Sequence, residues 1–306
     1  CKFQGLNSEA TLGFNAGMRG KKSSIYEGGH RVPFFLHWPS GGYSTGRDID
    51  TLAAHIDVLP TLADLCQLPY PDQSYDLDGV SLNPLLAGKP GSWERKHLFV
   101  QYHGGPYNKF APKPFDHSVV MTEKWRLVNT GTTQELYDIQ NDPSQRNNIA
   151  EQQKEVVKDL RKAYQSFWKR VSPGLKPVAI NIGDHTENPT VLCSQDWRPE
   201  TGNPPWNFSS IGKIPKVTHP WLVNVLEAGE YRFTLRQWPK EANEEIIGVK
   251  ARIKIAGIMK EALIKDGAKK IDFTLTLPAG ITELWTYVYN DRGQVGGAYF
   301  TEVHKL

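Results

Sequence analysis

Beyond Pro173-Gly174 the chain alternates apolar and polar residues with a period of two, and that period decides what this half can fold into. Tyr231, Phe233 and Leu235 alternate with Arg232, Thr234 and Arg236. Ala251, Ile253 and Ile255 alternate with Arg252 and Lys254, and Ile271, Phe273, Leu275 and Leu277 with Asp272, Thr274 and Thr276. Trp285, Tyr287 and Tyr289 extend the series. Side chains two apart on a strand share a face, so each run reads as a strand with one buried side. Glu227-Ala228-Gly229 and Pro278-Ala279-Gly280 supply turns between them. Short regular strands with such turns predict a β-sandwich over residues 173–306.

Ahead of that boundary, over residues 1–172, the periods are mixed and the expected class is α/β. Residues up to about 30 are rich in Gly and polar side chains and read as a long loop. Val32 to Trp38 is a continuous apolar run closed by Pro39, which suggests a buried sheet strand, and Leu98 to Tyr102 suggests another. Asp57 precedes a short apolar helix pattern and is placed to cap it. Ser118 to Met121, Trp125 to Val128 and Glu135 to Ile139 suggest a small antiparallel sheet. From about Ala150 to Arg170 the residues Val156, Leu160, Ala163, Phe167 and Val171 form one stripe of a helix.

Composition excludes several classes. The 306 residues are 39% hydrophobic and 23% charged, with a net charge of +3, which gives no case for nucleic acid. No apolar run is long enough to span a membrane. Cys1, Cys66 and Cys193 are odd in number and widely spaced, so they suggest neither a disulfide framework nor a zinc site. Nine Trp and twelve Tyr fit β-rich packing. Trp197, Trp206 and Trp238 are candidate stacking platforms for a carbohydrate, although a sandwich core is the commoner place for such residues.

Chemistry is concentrated between Gly13 and Pro39. Arg19, Lys21 and Lys22 lie among glycines and lead into Tyr26-Glu27-Gly28-Gly29 and the apolar run. A glycine-flanked cationic loop ahead of a strand suits an anion, with ammonium groups as point charges and the backbone as a source of N–H donors. A solvated basic loop is the plainer alternative. His103 follows the Leu98–Tyr102 strand, and ligands in open α/β sheets sit beyond the carboxyl ends of strands, which makes it a second candidate.

The Gly20-Lys21-Lys22 turn followed by Tyr26-Glu27-Gly28-Gly29-His30-Arg31-Val32-Pro33 resembles the second signature region of the sulfatase family. Two further stretches agree in order and spacing. Ala54-His55-Ile56-Asp57-Val58-Leu59-Pro60-Thr61 is similar to the family's His-Ile-Asp-Leu-Leu-Pro-Thr segment. Glu135-Leu136-Tyr137-Asp138-Ile139 with Asp142-Pro143 resembles its Glu-Leu-Tyr-Asp hairpin before the last helix. The resemblance covers roughly residues 13 to 170, and residues beyond about 175 are less specifically similar to β-rich extensions of bacterial sulfatases.

What the resemblance implies is a sulfuric ester hydrolase of the alkaline phosphatase superfamily. Lys22 takes the position of a lysine that contacts sulfate oxygens. Arg19, Lys21 and His103 become candidate substrate contacts, while Glu27 and Arg31 read as a structural pair. The family's nucleophile is a formylglycine hydrate made from Cys or Ser in Cys/Ser-x-Pro-x-Arg, and its cofactor is Ca²⁺. This chain holds neither that motif nor the expected Asp-Asn-Gly metal ligands. The expectation is therefore the C-terminal part of the catalytic domain, inactive alone and with an uncovered sheet edge. The implied substrate is a sulfate ester, including sulfated carbohydrate, and the implied location is periplasmic or extracellular. A phosphate or phosphonate ester hydrolase of the same superfamily and a non-catalytic carbohydrate-binding protein are the alternatives.

Overall fold

The structure, a computed structural model, describes residues 14–69, 77–93, 95–102, 112–199, 204, 211 and 217–306. Its chain divides into two compact units that change over at Pro173-Gly174. The α/β first part, the small antiparallel sheet and the β-sandwich expected from the sequence are all present.

The first unit begins with a loop carrying a single helical turn, α1 (Glu27–His30), followed by α2 (Val58–Leu65) and α3 (Asn83–Leu86). Its sheet contains β1 (Leu98–Gln101), β2 (Ser118–Met121), β3 (Trp125–Asn129) and β4 (Gln134–Asp138), antiparallel in that order. Then comes α4 (Lys154–Val171). Every residue of β2 is buried, because both faces of the sheet are covered. Val120, Leu127 and Leu136 pack against Leu160 and Tyr164 of α4, joined by Phe99, Phe167 and Trp168. On the opposite face Leu98, Val119, Met121, Val128 and Tyr137 meet Ile25 and Tyr26 of the leading loop. Burying a side chain such as Ile25 contributes about 1.5–3 kcal/mol, enough to hold a turn that has little regular structure of its own.

The structure corrects three details of the sequence reading. Val32 to Trp38 form no strand: Val32, Phe34 and Phe35 are exposed, and Trp38 instead makes an isolated bridge with Tyr43 around the turn at Pro39–Gly41. An apolar run becomes a strand only where neighbours take its N–H and C=O groups, and no strand among the described residues pairs with it. Leu98–Gln101 is an edge strand, paired only with β2 among the described residues. Asp57 precedes α2, but its side chain accepts no capping hydrogen bond from it. Its carboxylate turns back to accept the N–H groups of Ala54 (2.8 Å) and Val80 (2.9 Å) and pairs with the buried Arg95 side chain. Three donors in a dry interior hold the carboxylate more firmly than the helix end, where water satisfies free N–H groups.

In the second unit the strands are β5 (Ile180–Ile182), β6 (Thr190–Cys193), β7 (Trp221–Val225), β8 (Gly229–Arg236), β9 (Lys250–Ile255), β10 (Ile258–Leu263), β11 (Ile271–Leu277), β12 (Gly280–Tyr289), β13 (Val295–Gly296) and β14 (Phe300–Lys305). One sheet runs β10-β9-β12-β7-β5 with β13 added to β12, and the other runs β11-β8-β14-β6. All of these pairings are antiparallel except β5 with β7. A single core joins the two sheets, with Tyr231, Phe233, Leu235, Phe273 and Leu275 from one and Val223, Ile253 and Leu284 from the other. Trp197 lies in that core, 5.6 Å from Trp221 and 5.8 Å from Tyr299 between ring centres, so it is not available to stack on a ligand. Trp206 lies outside the described residues, and Trp238 is half-buried. No helix among the described residues is long and apolar enough to cross a membrane.

Candidate functional site

The cationic loop is built by backbone contacts so close that only glycine fits at two positions. Gly28 donates its N–H to the Arg19 carbonyl at 2.8 Å, and Gly29 donates to the Tyr26 carbonyl at 2.7 Å. A β-carbon on Gly28 would lie 2.4 Å from the Gly20 carbonyl oxygen, and one on Gly29 2.0 Å from that of Ser24. Backbone cannot withdraw from such a clash without opening the turn. The paired glycines let residues 19–24 fold back over the start of α1, and the Ser24 N–H closes the tip on the Lys21 carbonyl at 2.9 Å.

Two anchors fasten this turn to the sheet. The first is Glu27, which is 2% exposed and accepts from Nε of Arg126 on β3 at 2.6 Å. Its backbone N–H donates to Oε1 of the buried Gln145 at 2.8 Å. Arg31, the partner expected from the sequence, stands 3.8 Å from the second Glu27 oxygen with its side chain 61% exposed. Arg126 takes the inner position because it rises from the strand beneath the loop, whereas Arg31 leaves α1 toward solvent.

The second anchor gathers Arg19, Tyr26, Glu135 and Tyr137. Glu135 accepts the hydroxyl protons of Tyr26 (2.8 Å) and Tyr137 (2.7 Å), while Arg19 donates to the Tyr137 hydroxyl oxygen (2.7 Å) and the Gln145 carbonyl (3.2 Å). The guanidinium carbon of Arg19 lies 3.9 Å from the centre of the Tyr26 ring. Burial, reinforced by the Glu135 carboxylate that accepts its proton, pushes the Tyr26 hydroxyl from 10.0 up to about 12. The Tyr137 hydroxyl is raised for the same reasons. Because the folded value lies above the unfolded one, the contribution of Tyr26 is complete below pH 10 and disappears as pH rises through about 12. A titration followed by tyrosinate absorbance should therefore show the loop loosening within that alkaline window. Loosening at neutral pH would mean that another group controls it.

The four candidate residues of the sequence reading fare differently. Lys22 is exposed at the tip of the turn, beside Ser23, whose φ is +72°. Lys21 is half-buried next to it. Arg19 is engaged in the second anchor. His103 lies outside the described residues. Among the described residues no three His, Cys, Asp or Glu side chains come together as a metal site. Cys66 and Cys193 are free thiols. The anchoring roles of Arg126, Gln145 and Glu135 were not legible beforehand. Arg126 is one basic residue in an ordinary strand pattern, and the use of Gln145 depends on a backbone turn with φ +50°.

The model of the family described as N-sulphoglucosamine sulphohydrolase, C-terminal, matches residues 19–169. An N-acetylgalactosamine-6-O-sulfatase of Bacteroides thetaiotaomicron is 30% identical over 178 residues, which are 55% of this chain and 32% of that protein. Human steryl-sulfatase is 38% identical over 87 residues, 28% of this chain and 15% of that protein. This chain thus matches about a third or less of the length of these relatives. A solved Bacteroides thetaiotaomicron structure, from work on the metabolism of multiple glycosaminoglycans, is 26% identical with a TM-score of 0.40, covering 50% of this chain and 32% of the other.

Proposed function

We infer that this chain, which belongs to the sulfatase family through residues 19–169, forms the C-terminal part of a sulfate-ester hydrolase and contributes Lys22 as its contact to the sulfate group. The observation that carries this reading is the double anchoring of the Gly20–Gly29 turn, which leaves a lysine exposed at a rigid tip. As the bond from sulfur to the leaving oxygen breaks, negative charge spreads over the non-bridging oxygens. A fixed ammonium stabilises that charge more in the transition state than in the ground state, and this difference is what accelerates the reaction. Lys21 follows as a second cation toward an anionic substrate. Arg19 acts through the anchor, as a positioning residue.

A formylglycine nucleophile and Ca²⁺ would supply the attacking hydroxyl and further charge neutralisation. The described residues do not fit a metal site, and the sequence has no Cys/Ser-x-Pro-x-Arg, so this reading assigns both to sequence outside the chain. One relative's name specifies a sulfated amino sugar, which favours a sulfated carbohydrate substrate. With such a substrate, a periplasmic or extracellular location is the expected one.

The test uses the full-length protein that contains this chain. It should release inorganic sulfate from a 6-O-sulfated N-acetylhexosamine and from an aryl sulfate faster than it releases phosphate from the matching phosphate or phosphonate esters. The reverse preference would establish the phosphoesterase reading instead. Sugar binding with no hydrolysis of any ester would establish the non-catalytic one.

A further inference from the structure

The alternation that predicted the sandwich leaves open which side of each strand is buried, and on β12 the inner side is the unexpected one. Leu284, Thr286 and Val288 face the core, with the Thr286 hydroxyl accepting the Ala298 N–H at 3.0 Å. Trp285, Tyr287 and Tyr289 therefore form a row on the outer face of the six-stranded sheet, each half-exposed. Their ring centres are 6.2 and 6.4 Å apart, with planes inclined by only 8° and 26°. The pitch is that of alternate residues along a strand.

A second row runs beside the first. The strand register sets Lys254 opposite Trp285, Arg252 opposite Tyr287 and Lys250 opposite Tyr289. The Lys250 ammonium lies 4.6 Å from the Tyr289 ring centre, and the Arg252 guanidinium carbon lies 5.8 Å from that of Tyr287. Glu261 on β10 bridges Lys250 and Arg252. Glu283 accepts the Trp285 indole N–H at 2.9 Å, which fixes that ring. Three cations thus stand against two carboxylates, and Lys254 is the exposed cation beside the largest ring.

We propose that the outer face of β9 and β12 binds a linear anionic polysaccharide, with Trp285, Tyr287 and Tyr289 stacking on successive sugar rings and Lys254 and Arg252 meeting its sulfate groups. An apolar protein surface is a poorer match, because the exposed Lys254 ammonium beside Trp285 would be buried without a counter-charge. A sugar chain suits the pattern: the C–H face of a pyranose packs on an aromatic ring while its rim keeps its hydroxyl and sulfate groups in water beside the cations. Flat rings lose little conformational freedom on binding, and cations already placed by the sheet lose less than mobile ones. The proposal takes only the anionic character of the glycan from the hydrolase reading. It is a second contact, in a different unit from Lys22.

The experiment measures binding of the full-length protein to chondroitin sulfate, to its desulfated form and to an oligothymidylate. Each is measured for the wild type, for Trp285→Ala/Tyr287→Ala and for Lys254→Gln. The double variant should bind chondroitin sulfate about tenfold or more weakly with unchanged hydrolysis of a small aryl sulfate, which has no chain to lie along the strands. Lys254→Gln should weaken binding to the sulfated chain more than to the desulfated one, which keeps only its uronate carboxylates. Because Lys254 is exposed, this variant tests the face even if the double variant fails to fold. Equal binding by wild type and Lys254→Gln, or tighter binding of the oligonucleotide than of the polysaccharide, would overturn the proposal. Absence of aryl sulfate hydrolysis by the wild type, with polysaccharide binding present, would count against the hydrolase reading alone.

Discussion

Replacing Lys22 with alanine in the full-length protein is expected to lower sulfate-ester turnover by about 10²-fold or more and to leave stability almost unchanged. The two expectations have separate physical origins. Losing one preorganised group aimed at developing negative charge costs roughly 10²–10³ in rate, because nothing mobile replaces it in time. The Lys22 side chain is exposed, and the turn beneath it is closed by the Ser24 and Gly28 backbone bonds and by the Glu27 anchor. Removing a solvated side chain there should shift folding by no more than about 0.5 kcal/mol. Steady-state kinetics with a thermal unfolding curve on the same sample checks both. The loss should appear mainly in kcat, since the contact strengthens as the leaving oxygen departs. Full turnover at full stability would remove Lys22 from the mechanism, and a loss matched by a fall in stability would make it structural.

Glu27→Ala should act in the opposite way, through the fold. It leaves the Arg126 guanidinium, whose side chain is only 8% exposed, without its counter-charge. Removing one member of a buried pair costs about 3–5 kcal/mol, much of it from stranding the other. Arg31 cannot replace it, because it carries the same charge as Arg126. Unfolding should therefore show the first unit strongly destabilised, with the transition of the sandwich unchanged, so two transitions need to be resolved rather than one fitted. Activity should fall too, since the turn that presents Lys22 loses its inner anchor. Adding Arg126→Met should restore much of the stability, because an apolar side chain tolerates that interior better than an unpaired charge. A single-variant cost below about 1 kcal/mol would show that the second anchor, at Glu135, holds the loop unaided.

The sequence by itself determined the local elements and the family. Three strands of the small sheet, the long α4 and four sandwich strands, β8, β9, β11 and β12, follow from hydrophobic period and turn residues, which act between neighbours in the chain. The signature loop was legible for a related reason: Gly28 and Gly29 are required by backbone contacts within ten residues of themselves. Tertiary structure decided the rest, wherever an outcome depended on a partner distant in sequence. Val32–Trp38 has the composition of a strand but no strand pairs with it among the described residues, so most of it is left exposed. Asp57 had helix N–H groups close at hand, yet it bonds to Ala54, Val80 and Arg95, because a buried charge gains most where several donors converge. Glu27 takes its short, buried hydrogen bond from Arg126, 99 residues away, and only a longer ion pair from the nearby, exposed Arg31, since only the strand residue reaches it away from water. The row Trp285-Tyr287-Tyr289 shows the same limit most simply. A period of two defines two faces, and which face turns outward is settled only when a second sheet covers one of them.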